Sequence, residues 1–118
     1  TPFPHLGGVI IGNSCEIGSH SFISSGVYKP TRIERGTKIG QFVYVGATVN
    51  IGKDCQVRCR STLLGSVKVG EGVIIAPSST VREHLSIGKN SFIGIGSLIL
   101  KNVEDNQTWY GSPAKLIK

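Results

Sequence analysis

The chain has 118 residues, a formal net charge of +6, sixteen glycines, no methionine and 17% charged residues. That length suits one domain; glycine without a three-residue period excludes collagen, and evenly spread isoleucine and valine exclude disorder. No apolar run reaches the length of a membrane span, and the opening Thr1-Pro2-Phe3-Pro4 is not a signal peptide. The missing initiator methionine fits processing or excision from a longer chain.

In chain order, residues 1–8 read as a lead-in, and residues 9–26 carry aliphatics six apart at Ile11, Ile17 and Ile23. Residues 26–32, Gly26-Val27-Tyr28-Lys29-Pro30-Thr31-Arg32, offset the register by four extra residues and predict a protruding loop. The period then resumes at Ile33 and continues through Ile39, Val45, Ile51, Val57, Leu63, Val69, Ile75, Val81, Ile87, Ile93 and Ile99. Glycine often follows, as at Gly40, Gly46, Gly52, Gly70, Gly88 and Gly94. Four residues after each aliphatic comes a small or aliphatic residue, from Thr37 and Val43 through Ser97 to Val103.

A period of six is neither the 3.6 of a helix nor the two of a long strand. It predicts short strands joined by tight corners, with the large aliphatic inward, the glycine permitting the corner and the small residue filling it. Three hexads close one triangular coil, and coils stack as a parallel β-helix. Residues 9–26 supply one coil and 33–104 four more, about five in all. Residues 105–118, including Trp109 and Tyr110, are expected to cap the end of this single all-β domain.

Few residues carry chemistry. Cys15 and Cys55 fall on inward positions and read as buried free thiols, whereas Cys59 lies near an exposed corner. Their spacing fits neither full disulfide pairing nor a zinc motif, and free thiols suit a reducing cytoplasm. His20 and His84 lie at corners, and His5 in the lead-in. A corner histidine is solvated by default; its alternative role is general base, since imidazole titrates near neutral pH. His84 follows Glu83 on the same prism face as Val45 and Leu63. The positive charge attracts anionic partners. The basic residues Lys29, Arg32, Arg35, Arg58, Arg60, Arg82, Lys115 and Lys118 are scattered, without the runs and interleaved aromatics of a nucleic-acid surface.

The early hexads, the ten-residue step from Ile23 to Ile33, the Phe3-Pro4 lead-in, the run Ala76 to Lys101 and His84 together resemble a known family. From residue 3 to about 104 the chain is similar to the repeat domain of UDP-3-O-acylglucosamine N-acyltransferases, within the hexapeptide-repeat acyltransferases. The tail Gly111-Ser112-Pro113-Ala114-Lys115 resembles the terminal Gly-x-Pro-Ala-Lys of sugar acetyltransferases. The resemblance implies a left-handed helix, a cytoplasmic homotrimer, and no membrane span, bound cofactor or metal. It further implies acyl transfer from acyl-CoA or acyl-carrier protein to an amine or hydroxyl of a sugar-like or nucleotide-sugar acceptor. A zinc-dependent γ-type carbonic anhydrase would share the fold, but His5, His20 and His84 lack close co-facial spacing.

Residue by residue, the carry-over is partial. The family's catalytic histidine stands in an Ile-Ala-His-Asn corner, matched here by Val45-Gly46-Ala47-Thr48, so its position is Ala47. The family's Asp-Arg-Gly is here Ser24-Ser25-Gly26. A methyl group takes no proton; His84, which matches a second family histidine, is the first candidate base and His20 the second. The resemblance implies Ser24, Tyr28 and Lys29 for acceptor binding, and Arg82, Ser112, Pro113 and Lys115 for the acyl donor. The Ala47 and Ser24 departures keep a second reading open: a scaffold or binding module that has lost its base.

Overall fold

A computed structural model describes residues 8–118, so the Phe3-Pro4 lead-in and His5 lie outside the described residues. Because side chains alternate along a strand, each hexad can bury one aliphatic while its neighbour faces solvent. The first coil comprises β1 (Val9–Ile11), β2 (Glu16–Ile17) and β3 (Phe22–Ile23). The second comprises β4 (Thr31–Ile33), β5 (Lys38–Ile39) and β6 (Tyr44–Val45), and the third β7 (Asn50–Ile51), β8 (Gln56–Val57) and β9 (Thr62–Leu63). Strands β10 (Lys68–Val69), β11 (Ile74–Ile75) and β12 (Thr80–Val81) form the fourth. The fifth holds β13 (Ser86–Ile87), β14 (Phe92–Ile93) and β15 (Leu98–Ile99).

Each of these strands pairs in parallel with its counterpart in the next coil, which gives three flat faces. Face 1 is β1-β4-β7-β10-β13, face 2 contains β2-β5-β8-β11-β14, and face 3 is β3-β6-β9-β12-β15. The inward aliphatics from Ile33 to Ile99 are at most 4% exposed and form one continuous core. Each such burial contributes about 1.5–3 kcal/mol, so the stacked aliphatics, rather than strands two residues long, hold the prism together.

The structure reassigns the repeat glycines. Gly40 and Gly46 do not have positive φ. Instead, a Cβ on Gly40 would stand 2.8 Å from the Cys59 nitrogen, and one on Gly46 2.8 Å from the Gly65 nitrogen. These glycines let successive coils approach. The left-handed corner conformation falls two residues later, on Phe42, Thr48, Asp54, Arg60, Ser66, Ser78, His84 and Asn90 among others, all with φ near +60°.

The inward small residues have a further task. Thr37 donates its hydroxyl to the Gly52 carbonyl at 2.7 Å, Ser61 to Ala76 at 3.0 Å and Ser79 to Gly94 at 2.9 Å. Each also accepts an N–H from the following coil, at Cys55, Ser79 and Ser97. Buried corner polar groups are thereby satisfied from coil to coil.

The tail is more than a cap. Val103 bridges Ile87, and β16 (Thr108–Gly111) pairs in parallel with β14, which starts a sixth coil on face 2. The chain then reverses, and β17 (Ala114–Leu116) pairs antiparallel with β16. Trp109 and Ala114 pack against the core.

Candidate functional site

The edge between face 3 and face 1 gathers most of the chemistry. Its corners follow one another along the prism as Ser24-Ser25-Gly26, Gly46-Ala47-Thr48, Leu64-Gly65-Ser66, Arg82-Glu83-His84 and Leu100-Lys101-Asn102. Ala47, Thr48, Gly65 and Ser66 are half-buried, whereas Arg82, Glu83 and His84 project into solvent. On the other side stands the loop with Val27 71% and Tyr28 79% exposed, and with Lys29 also exposed. The small corners therefore lie in a notch between the loop and His84. With coils roughly 4.8 Å apart, His84 is one coil from Ser66 and about 10 Å from Thr48.

Local sequence builds each part. Gly26 is buried where a Cβ would collide with the Lys29 carbonyl, so no larger residue fits the base of the loop. Gly26 and Gly8 exchange two backbone hydrogen bonds, of 3.0 and 3.1 Å. The loop is shorter than the sequence suggested, because β4 already begins at Thr31. His84 has φ +64°, and histidine is among the residues that tolerate this region. Its backbone N–H donates to the Gly65 carbonyl at 3.0 Å, which leaves the imidazole free to face outward.

The backbone N–H groups of these corners are partly engaged. Ser66 N–H is taken by the Ala47 carbonyl at 2.9 Å, and Thr48 N–H by the Thr31 hydroxyl at 2.8 Å. The N–H groups of Ala47, Gly65 and Glu83 have no acceptor among the described residues. A row of free amides can receive an oxyanion or a phosphate oxygen.

The predicted residues divide between two edges. Ser24, Tyr28, Lys29, Ala47, Arg82 and His84 share the edge described. His20 does not. It sits at a corner between faces 2 and 3, stacked on Phe42 with ring centroids 5.0 Å apart, and Arg60 lies 5.4 Å from the same Phe42 ring. Arg82 Nε is 4.0 Å from Glu83 Oε1, an exposed pair worth little to stability. Among the described residues no cluster of histidine, cysteine, aspartate and glutamate could hold a metal.

Pro113 and Lys115 line a cleft of about 500 Å³ with Leu100, Lys101, Trp109 and Leu116, and exposed Ser112 adjoins them in the hairpin. Leu100 and Lys101 belong to the same edge as Ala47, so this cleft lies on that edge one coil beyond His84. Sequence reasoning missed Gly65, Lys101 and Trp109 as site residues. Counting eighteen from Ala47 reaches Gly65 and Lys101; nothing in the spacing foretells the β16–β17 reversal that brings Trp109 there.

The three cysteines are free: Cys15 is half-buried, Cys55 buried and Cys59 exposed. Burial pushes the Cys55 thiol above its ordinary value against opposing hydrogen bonds from Val73, Gly72 and Thr37. A neutral buried thiol is a poor nucleophile.

Residues 48–83 match the bacterial transferase hexapeptide family (six repeats). A UDP-3-O-acylglucosamine N-acyltransferase of Caulobacter sp. (strain K31) is 33% identical over 115 residues, covering 98% of this chain and 34% of the relative. The solved LpxA from Acinetobacter baumannii has 25% identity and a TM-score of 0.90, over 92% of this chain and 43% of that one. The chain is a left-handed β-helix of the hexapeptide-repeat type. It is also similar to a serine acetyltransferase solved in complex with CoA, at 26% identity and a TM-score of 0.60, over 88% of this chain and 40% of that one. This hexapeptide-repeat chain spans about a third of the length of the curated relatives it matches. No helix among the described residues is long and apolar enough to cross a membrane.

Proposed function

We propose that this chain forms the catalytic β-helix of an acyltransferase. It moves an acyl group from acyl-CoA or acyl-carrier protein to an amine or hydroxyl of a sugar-nucleotide-like acceptor. One observation carries the reading: loop, small corners, free amides, His84 and the lysine-rimmed cleft follow one another along a single edge. The names of the relatives, which are acyltransferases, agree with it.

The chemistry needs a base, an oxyanion donor and a channel for the donor. The imidazole of His84 removes a proton from the acceptor as its nitrogen or oxygen attacks the thioester carbonyl. The Gly65 N–H, one coil away, stabilises the tetrahedral oxyanion. When the carbonyl re-forms, the C–S bond breaks and the thiolate recovers the proton from the imidazolium. The pantetheine arm lies along the notch, and Lys101, Lys115 and Arg82 meet its phosphates. Tyr28, Lys29 and Ser24 hold the acceptor at the loop end. No metal or resident cofactor takes part.

The assembly is a homotrimer in the cytoplasm, a setting that suits three free thiols. Copies carrying +6 each repel, so they meet where charge is lowest. Outward residues of face 1 include Arg32 and Lys68, and those of face 2 include Glu16 and Lys38. Face 3 presents Phe22, Tyr44, Thr62, Thr80 and Leu98, without a charge, and stacks Phe22 on Tyr44 at 5.5 Å. Packing on face 3 lets a neighbouring prism wall the adjoining notch.

A free-thiol release assay tests the function, using acyl-CoAs of several lengths and an acyl-carrier protein against amino sugars and nucleotide sugars. The protein's own thiols are subtracted. Turnover reduced about 10²–10⁴-fold in His84→Ala supports the transferase and its base. Undiminished turnover removes His84 from the mechanism. Absence of turnover with every donor returns the chain to a binding scaffold, the role that Ala47 favours.

A further inference from the structure

We infer that Thr31 is a positioning residue whose hydroxyl clasps the Gly26–Pro30 loop to the Ala47–Thr48 corner. The inward column at this edge is Val9, Thr31, Val49, Val67 and Leu85, so among the described residues Thr31 is its one hydroxyl. It stands six residues before Thr37, in the register of the small inward residues, and is 0% exposed. Val27, four residues after Ile23, would have taken that place; it is expelled into the loop at 71% exposure. Thr31 thus closes the coil that the insertion opened.

Its bonding differs from that of Thr37, Ser61 and Ser79 and follows that of Ser97, which donates back to the Gly94 carbonyl three residues earlier. Thr37, Ser61 and Ser79 donate forward to a carbonyl fifteen residues ahead. Thr31 donates backward across the loop to the Ser24 carbonyl, seven residues earlier, at 2.7 Å. The same oxygen accepts the Thr48 N–H at 2.8 Å, and Thr31 N–H donates to the Gly8 carbonyl at 2.9 Å. One residue therefore joins the exit of β3, the return of the loop and the corner holding Ala47. The hydroxyl fixes the height of the loop over the notch, and with it the acceptor; this last step rests on the transferase reading, whereas the clasp does not.

The test compares wild type, Thr31→Ser and Thr31→Val, each checked for folding by circular dichroism. Chymotryptic cleavage after Tyr28, followed by mass spectrometry, reads the loop without reference to activity. Thr31→Val is expected to be cut about tenfold faster, and Thr31→Ser at the wild-type rate. With turnover in hand, the acceptor KM of Thr31→Val rises about tenfold while kcat stays within about twofold, and Thr31→Ser restores it. Equal cleavage in all three proteins overturns the clasp; a fall in kcat at constant KM overturns positioning of the acceptor. Faster cleavage without turnover in wild type keeps the clasp and sinks the transferase reading. Should Thr31→Val fail to fold, amide exchange in wild type decides: Thr48 N–H exchanging as fast as the unpartnered Ala47 N–H overturns the clasp.

Discussion

Cys55 sits where the repeat asks for a small inward residue, and its thiol donates to the Gly70 carbonyl at 2.9 Å. Burial raises its folded value above the ordinary one near 9. A raised folded value means that the group's contribution to stability is complete below the unfolded value and is lost as pH climbs through the folded one. The urea midpoint of wild type, relative to Cys55→Ser, should therefore hold level up to about pH 9 and fall above it. A flat difference between pH 8 and 11 would contradict this. Corner histidines are read differently at this scale. His20 and His84 both have φ near +60°, so backbone tolerance alone accounts for their presence, and position separates them. His84 borders the notch, while His20 is engaged with Phe42.

At the scale of the coil, close approach is the constraint that sequence concealed. Gly40 faces the Cys59 backbone at 2.8 Å. Gly40→Ala is expected to destabilise by about 1–3 kcal/mol through overpacking, measured as a lower urea midpoint. A gain in stability, the usual result when alanine restricts the unfolded chain, would mean that the coils can part at no cost. The inward series from Ile33 to Ile99 was legible because burial at every sixth residue leaves a direct mark on composition. The glycine's task was not, since a corner φ and a tight backbone contact select the same residue. Thr31 was hidden for another reason: the insertion shifts the register, so the inward hydroxyl reads as part of the loop. Ala47, Gly65 and Glu83 could be aligned by counting eighteens, yet their free amides and the Trp109 cleft depend on corner geometry and on the β16–β17 reversal.

Across the whole molecule, the three faces differ in charge and the three edges in content. If the proposed trimer forms, Tyr44→Lys on the uncharged face 3 should shift sedimentation toward monomer while leaving the fold intact; an unchanged sedimentation coefficient would contradict an interface on face 3. The notch borders that face, so activity should fall together with assembly. A residue-resolved map of amide shifts on titrating CoA into the isotopically labelled protein tests directly whether the donor lies along the notch edge. Perturbations are expected at Ala47, Gly65, Glu83 and Lys101, continuing to Trp109 and Lys115 along one edge. Shifts confined to the edge carrying His20, Phe42 and Arg60, or to none, would contradict it.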